Sequence, residues 1–545
     1  MAHRIGTAIS VTGDAIVVAL DEALPANMQL SASDAGQATP LVIGQPGSFI
    51  QISIPSGALL CLVTASKMER AADGFAGGKA ARLLEVLIVG TVTAQGKFER
   101  GADVLPTVGA EAVAVTPQVL EAIYASLATG AFQLGRISNV ANQDARISLD
   151  AFLSRHAAVL GQTGAGKSWT VASILQKIAQ LPQASVVLLD LHGEYRRAFG
   201  DYATYLRAAD LELPYWLMNS DELIDMCVDR DEQAAPLQMA KFKELLQEMK
   251  QAYRENQLLG VPKITVDTPV YFQFDKFIEE LQRLDTEIVL VNLVRTHGPL
   301  FGLFTRIIAR IRSRLNDRRF DLIFNPKTYR NSASMEGLFR RLLGEETPPK
   351  KLTVLDLSEV PFEVRPSVIS LILRCLFDFA YWFKRKHGNA YPLSVFCDEA
   401  HTYLSDGDSS HRASRVSAER VAKEGRKYGM SLTVISQRPR DVSATLLSQC
   451  STFLCLRISN PDDQAYVKNL LPDSMRGVMS IISTLRRGEG FLVGDAVLMP
   501  TRIQIDPPNP PPDSSDASFA TEWAKEPGPI DVAGVLDLWR RQGVL

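Results

Sequence analysis

Gly161-Gln162-Thr163-Gly164-Ala165-Gly166-Lys167-Ser168 reads G-x-x-x-x-G-K-S, set between the apolar stretch Ala157 to Leu160 and the helical pattern Trp169 to Ile178. Strand, loop and helix in that order make a phosphate cradle. The glycines turn backbone N–H groups inward around a β-phosphate, Lys167 reaches the β/γ oxygens, and the Ser168 hydroxyl can ligate Mg²⁺. Gly161, Gly164, Ala165, Gly166, Lys167, Ser168 and the following Trp169 are therefore the candidate residues for binding a nucleoside triphosphate. A second apolar run, Leu393 to Cys397, ends in Asp398-Glu399. Paired carboxylates at a strand's C-terminal end suit Asp398 to hold a Mg²⁺ hydration shell and Glu399 to polarise the attacking water as general base. An exposed acidic turn is the alternative. Ser431 to Ile435 runs into Ser436-Gln437-Arg438-Pro439, where the Gln437 amide either senses the γ-phosphate and orients water or simply caps the strand.

Asp398-Glu399-Ala400-His401 spells D-E-A-H, yet no Q-R-x-G-R-x-G-R element follows and no L-S-G-G-Q segment occurs. That sets aside DEAH-box helicases and transporter ATPases. Two arginines are candidates for fingers offered to a neighbouring subunit: Arg426 in Glu424-Gly425-Arg426-Lys427-Tyr428-Gly429, and Arg155 in Arg155-His156. Taken singly, each reads as a surface arginine. Arg306, Arg310 and Arg314 recur at i, i+4 spacing and are followed by Arg318-Arg319, a solvated face or a DNA-facing stripe. The polar run from Gly407 to Arg415 is an ordinary loop or a mobile segment in which Arg412 and Arg415 contact DNA phosphates.

The elements that must position these groups follow from composition and periodicity. At 545 residues the chain exceeds one core. A net charge of −3 gives no overall basic field, so any nucleic-acid contact has to be local. Six scattered cysteines without a C-x-x-C pair exclude a zinc ribbon and fit buried thiols. No leader pattern and no membrane-length apolar run is expected, which places the protein in the cytoplasm, with no membrane partner. Short β-like runs separated by Gly, Pro and Asp predict an N-terminal small β-barrel over 1–130. Alternating strands and helices predict an α/β core with a mostly parallel sheet over 131–204 and 346–505. Helical periodicity over 205–345 is too long for a loop and predicts an inserted helical subdomain. From Pro507 the composition predicts an extended, mobile Pro-rich linker, ending in a latch helix near Ile530 to Trp539 that docks on a neighbouring surface.

Taken in order, Arg155-His156, G-Q-T-G-A-G-K-S, D-L-H-G-E-Y at 190–195, D-E-A-H, E-G-R-K-Y-G and S-Q-R-P resemble the HerA branch of the HerA/FtsK ATPases over about residues 1 to 505. The resemblance implies a RecA-like P-loop NTPase core in a hexameric ring. Such a ring binds ATP and Mg²⁺ between subunits and translocates double-stranded DNA through its channel. By the same carry-over Lys167, Ser168, Asp398, Glu399 and Gln437 act within the subunit. Arg155 and Arg426 become interface residues, and Glu194 faces the nucleotide and binds Mg²⁺-associated water. HerA-like rings work with a separate effector, so the resemblance implies one docked on the barrel: a NurA-like nuclease, another nuclease, or a sirtuin-like NAD-consuming enzyme, in DNA processing or anti-phage defence. A ring scaffold that assembles and activates its partner under ATP control, without processive movement, is the alternative. A membrane-anchored secretion or conjugation ATPase is a third, weaker reading.

Overall fold

The computed structural model describes residues 3–13, 15–25, 29–34, 37–69, 81–125, 131–138, 143–230, 232–291, 294–471, 479–514, 518–526 and 528–540. Near the N-terminus, Arg4–Val11 pairs with Ala15–Leu20 and with Glu111–Ala114. Glu111–Ala114 continues to Phe49–Ile54, then Gly57–Glu69, then Ala81–Thr93. Ala81–Thr93 closes the ring by pairing back to Ala15–Leu20. Six antiparallel strands thus form a closed barrel without a free edge in the ring. Alternate side chains such as Ile16 and Val18, or Ile50 and Ile52, fill its interior.

The central sheet has eleven strands in the order Asp144–Ser148, Ala131–Ile137, Thr501–Ile505, Glu489–Gly494, Thr452–Cys455, Ala157–Leu160, Met430–Ser436, Leu393–Cys397, Val186–Asp190, Leu352–Asp356 and Ala203–Arg207. The last seven run parallel, and the first four form an antiparallel flank. Both faces are covered, and the pleat explains the strands' apolar composition. Ala158, Leu160, Val187 and Leu189 face the core shared with helix Arg365–His387. Ala157, Val159, Val186 and Leu188 face the core shared with helix Lys167–Ile178.

Three sequence expectations change here. The strand Ala203–Arg207 belongs to the sheet, so the insertion starts after Arg207 rather than after 204. The insertion is not purely helical, since it carries the hairpin Ile288–Val291/Val294–His297. Nor does it have a core of its own: its aromatic cluster around Tyr215, Trp216, Phe272 and Phe277 is continuous with the sheet's. Finally, residues 506–514 are docked rather than mobile. Asp506 pairs with Lys177 at 2.6 Å. Gln176 receives the Asn509 N–H at 2.9 Å and donates to the Pro510 carbonyl at 2.8 Å. A proline run cannot build a core, but it can lie along one. Beyond it, helices Phe519–Trp523 and Val532–Arg540 bury none of their residues against this chain.

One helix among the described residues, Arg365–His387, is long and apolar enough to cross a membrane by length and composition. Its apolar side chains, among them Val368, Ile372 and Phe377, are buried in the core, and Arg374 at its middle is paired with Glu222 of the insertion at 2.8 Å.

Candidate nucleotide site

Parallel strands deliver the site residues to one edge of the sheet. Leu160 lies beside Ser436, Cys397 beside both Val434 and Leu189, so the residues that follow these strands emerge together at their carboxyl ends. Gly166, at φ 102°, turns the loop into helix Lys167–Ile178 in the left-handed region that glycine tolerates. No side chain caps that helix, which leaves the first-turn N–H groups available to an anion. The loop is braced from below: Gly161 donates to the Ser436 carbonyl at 3.2 Å and Gly488 to the Ala165 carbonyl at 3.1 Å.

Lys167 is buried, and its Nζ lies 4.0 Å from Glu399 Oε1. Glu399 adopts φ 44°, unusual for a residue with a side chain, and such strain collects at functional sites. Its Oε2 is buried without a hydrogen bond, although His401 Nδ1 stands 3.3 Å away. Burial, with the charges of Arg438 and Lys167 adding, pushes the His401 imidazole down to about 4, so it is neutral near pH 7. Asp398 is 4% exposed, and burial together with Glu399, Asp190 and Glu194 raises its carboxyl well above the usual range. The fully buried Tyr195 hydroxyl faces this carboxyl. Gln437 Oε1 accepts a hydrogen bond from the Thr163 hydroxyl, tying the strand tip to the phosphate loop.

Asp190 is a residue whose function the sequence reading passed over. Its carboxylate accepts the backbone N–H groups of His192 at 3.2 Å, Gly193 at 2.8 Å, Glu194 at 3.3 Å and Tyr195 at 3.2 Å. One side chain thereby folds the turn that carries Glu194 to the catalytic edge. The signal was an aspartate at a strand end followed by a glycine three residues on, the pattern of a side-chain-capped turn.

The remaining candidates do not converge on this edge. Arg155 and Arg426 precede the strands Ala157–Leu160 and Met430–Ser436, so both sit at the opposite edge of the sheet. Between them lies His156, buried, at φ 58°, accepting the Leu432 N–H at 2.9 Å. Burial, with the Arg426 charge adding, pushes its imidazole down to about 4. Arg426 is exposed, whereas Arg155 pairs with Asp495 at 2.5 Å. The arginine stripe is occupied within the chain: Arg306 pairs with Glu232 at 3.2 Å, Arg310 with Asp229 at 2.8 Å, and Arg314 lies over the Phe320 ring. Arg415 is likewise engaged, donating to the Ser405 and Asp406 carbonyls and to the Asp406 carboxylate at 3.1–3.3 Å. It belongs to helix Arg412–Glu424, not to a loop, and Arg412 stays exposed at that helix's start.

A pH consequence follows from Glu399. Burial favours its protonated form, and the nearby Lys167 charge only partly offsets this, so its carboxyl is raised from the ordinary 4.5. A general base acts deprotonated. The acid limb of the free enzyme, read from a pH–kcat/KM profile, should therefore have a midpoint above 4.5; a limb at or below 4.5 would contradict the assignment.

Residues 132–376 match the family described as "Helicase HerA, central domain". Over 427 residues the chain is 25% identical to the DNA double-strand break repair helicase HerA of Saccharolobus solfataricus, covering 78% of this chain and 77% of the relative. Over 454 residues it is 26% identical to the protein of the same description from Pyrococcus furiosus, covering 77% of each. Among solved structures, VirB4 of Thermoanaerobacter pseudethanolicus aligns at TM-score 0.49 and 15% identity, over 70% of this chain and 97% of that one.

Proposed function

We propose that this chain, a HerA-like ATPase of the HerA/FtsK superfamily, is an ATP-driven DNA translocase or helicase that acts on double-stranded DNA as a homo-hexameric ring. The observation that carries the ring is the split of the site residues between two edges of one sheet. Lys167, Ser168, Asp398, Glu399 and Gln437 share the carboxyl edge, while Arg155 and Arg426 sit at the other, where they serve a neighbour's nucleotide rather than their own.

The carboxyl edge fits a divalent cation. Burial first, and then the neighbouring carboxylates Glu399, Asp190 and Glu194, drive the Asp398 carboxyl toward protonation, and a cation would offset both. Ser168 and Asp398 would hold Mg²⁺, which when bound neutralises charge on the β- and γ-phosphates. Lys167 leaves Glu399 for those phosphates, which strengthens Glu399 as a proton acceptor for water. Gln437, fixed to Thr163, orients that water at the γ-phosphate. Glu194, set by the Asp190 turn, adds a second carboxylate toward the cation's water shell.

The effector is a separate protein docked on the barrel, a nuclease or an NAD-consuming enzyme, in DNA processing or anti-phage defence. One observation favours the second reading, a ring scaffold gated by ATP: most of the arginines nominated for DNA are neutralised within the chain. Steady-state ATPase activity with and without linear double-stranded DNA, using Glu399→Ala as the blank, separates the two. We expect strong stimulation by DNA. Glu399-dependent turnover indifferent to DNA would replace the motor with the scaffold.

A further inference from the structure

We propose that the purine base of the bound triphosphate is held in a cavity that the C-terminal proline segment helps to wall, which makes residues 506–508 part of the nucleotide site. The proposal rests on the triphosphate reading of the phosphate loop and extends it to the other end of the ligand.

A cavity of about 620 Å³ opens beside Gly166, bounded by Trp169, Arg136, Arg487, Gln504, Pro507 and Pro508. That size lies within the range of small-molecule sites, about 300–1,000 Å³. Gly166, Trp169 and Thr170 line it, which sets it against the end of the phosphate loop and the first turn of helix Lys167–Ile178. An indole and two pyrrolidine rings give it flat apolar faces beside the polar Thr170, Gln504 and Asp506, and prolines bring no N–H group that burial would leave unpaired. The lining includes two exposed arginines, Arg136 and Arg487, neither in an ion pair among the described residues. Arg487 already lies over the Trp169 ring at 5.7 Å. Flat apolar faces with cations beside them suit an aromatic heterocycle that has a polar edge, which stacks on rings and on guanidinium planes.

The cavity is built deliberately on three sides. Glu489 is fully buried between Arg486 at 2.9 Å and Arg502 at 2.8 Å, and this triad fixes the turn that carries Arg487 and seats Gly488 against the phosphate loop. Ile505 donates to the Gly488 carbonyl at 3.0 Å, which fixes where the proline segment begins. The segment is then pinned along the phosphate-loop helix by Lys177 and Gln176, and Asp513 donates to the Glu194 carbonyl at 2.8 Å. One strap therefore runs from the base pocket to the turn at the catalytic edge.

The test compares ATP with inorganic tripolyphosphate, which has the phosphates and no base, on the full-length chain by equilibrium binding. Arg487→Ala, and separately Pro507→Gly with Pro508→Gly, should weaken ATP roughly tenfold, the scale of one lost stacking contact, and leave tripolyphosphate unchanged. Equal weakening of both ligands would make Arg487 a phosphate contact and overturn the proposal. Unchanged ATP affinity in both variants would overturn it as well. Lys167→Ala is the separate control: if it leaves ATP affinity intact, the phosphate-loop reading itself fails, whatever the other variants do.

Discussion

Glu399→Gln should bind ATP at least as tightly as the parent chain and hydrolyse it at least about 100-fold more slowly, the range that a positioned general base contributes. The amide keeps the side chain's shape but cannot take a proton. It also removes the carboxylate 4.0 Å from Lys167, so the lysine meets the phosphates without first leaving a partner. His401 cannot substitute as the base. Its Nδ1 faces Glu399 and Ser436, each at 3.3 Å, and burial pushes the imidazole down to about 4, which makes it a poor proton acceptor. Single-turnover hydrolysis, with binding of a fluorescent ATP analogue measured alongside, reads both halves. A hydrolysis rate equal to the parent's would remove Glu399 from the base's role.

Arg426→Ala should lower hydrolysis by about 10³-fold, the lower end for a finger supplied in trans, with ATP affinity changed little. Within one chain Arg426 is remote from its own phosphate loop. It precedes the seven-residue strand Met430–Ser436, whose far end lies beside the loop, a separation on the order of 20 Å at about 3.3 Å per residue. Mixing Arg426→Ala with Lys167→Ala subunits should then restore part of the activity, because an intact loop can meet an intact arginine across a subunit boundary. If the mixture is no more active than the sum of its parts, Arg426 does not act across subunits. Arg155 is less free for this task, since its guanidinium is held by Asp495 at 2.5 Å.

The apolar runs that became the parallel strands were readable because a strand buried on both faces needs nothing but bulky apolar residues, as in Ala157–Leu160 and Leu393–Cys397. The antiparallel flank was harder to see. Ala131–Ile137 and Asp144–Ser148 interleave Gln, Arg and Asp with apolar residues, and the inner partner of Ala131–Ile137, Thr501–Ile505, lies more than 350 residues away. The arginine stripe shows a different limit. Spacing at i, i+4 reveals that three cations share a helix face, but only tertiary structure reveals that Glu232 and Asp229 stand opposite two of them. The proline segment was misread for a related reason: composition reports what a segment can do alone, and this one rests on Gln176 and Lys177 of another element. The phosphate loop and Asp398-Glu399 were legible because their chemistry is local in sequence. Asp190 was passed over although the glycine three residues on signals a capped turn, because its partners are backbone N–H groups and the letters show only the turn, not what closes it.

Asp495 is shared. Its Oδ2 holds Arg155, and its Oδ1 lies 3.5 Å from Arg100 of the strand Phe98–Arg100, which pairs with the barrel and also donates to the Gly494 and Leu498 carbonyls. A single carboxylate on the Gly494–Leu498 turn thus stands between the N-terminal barrel and an arginine beside the phosphate-loop strand. Each cation takes its own oxygen of the carboxylate, so Asp495 links the two arginines through one side chain. Removing that side chain would therefore free both arginines at once, one beside the barrel and one beside the phosphate-loop strand.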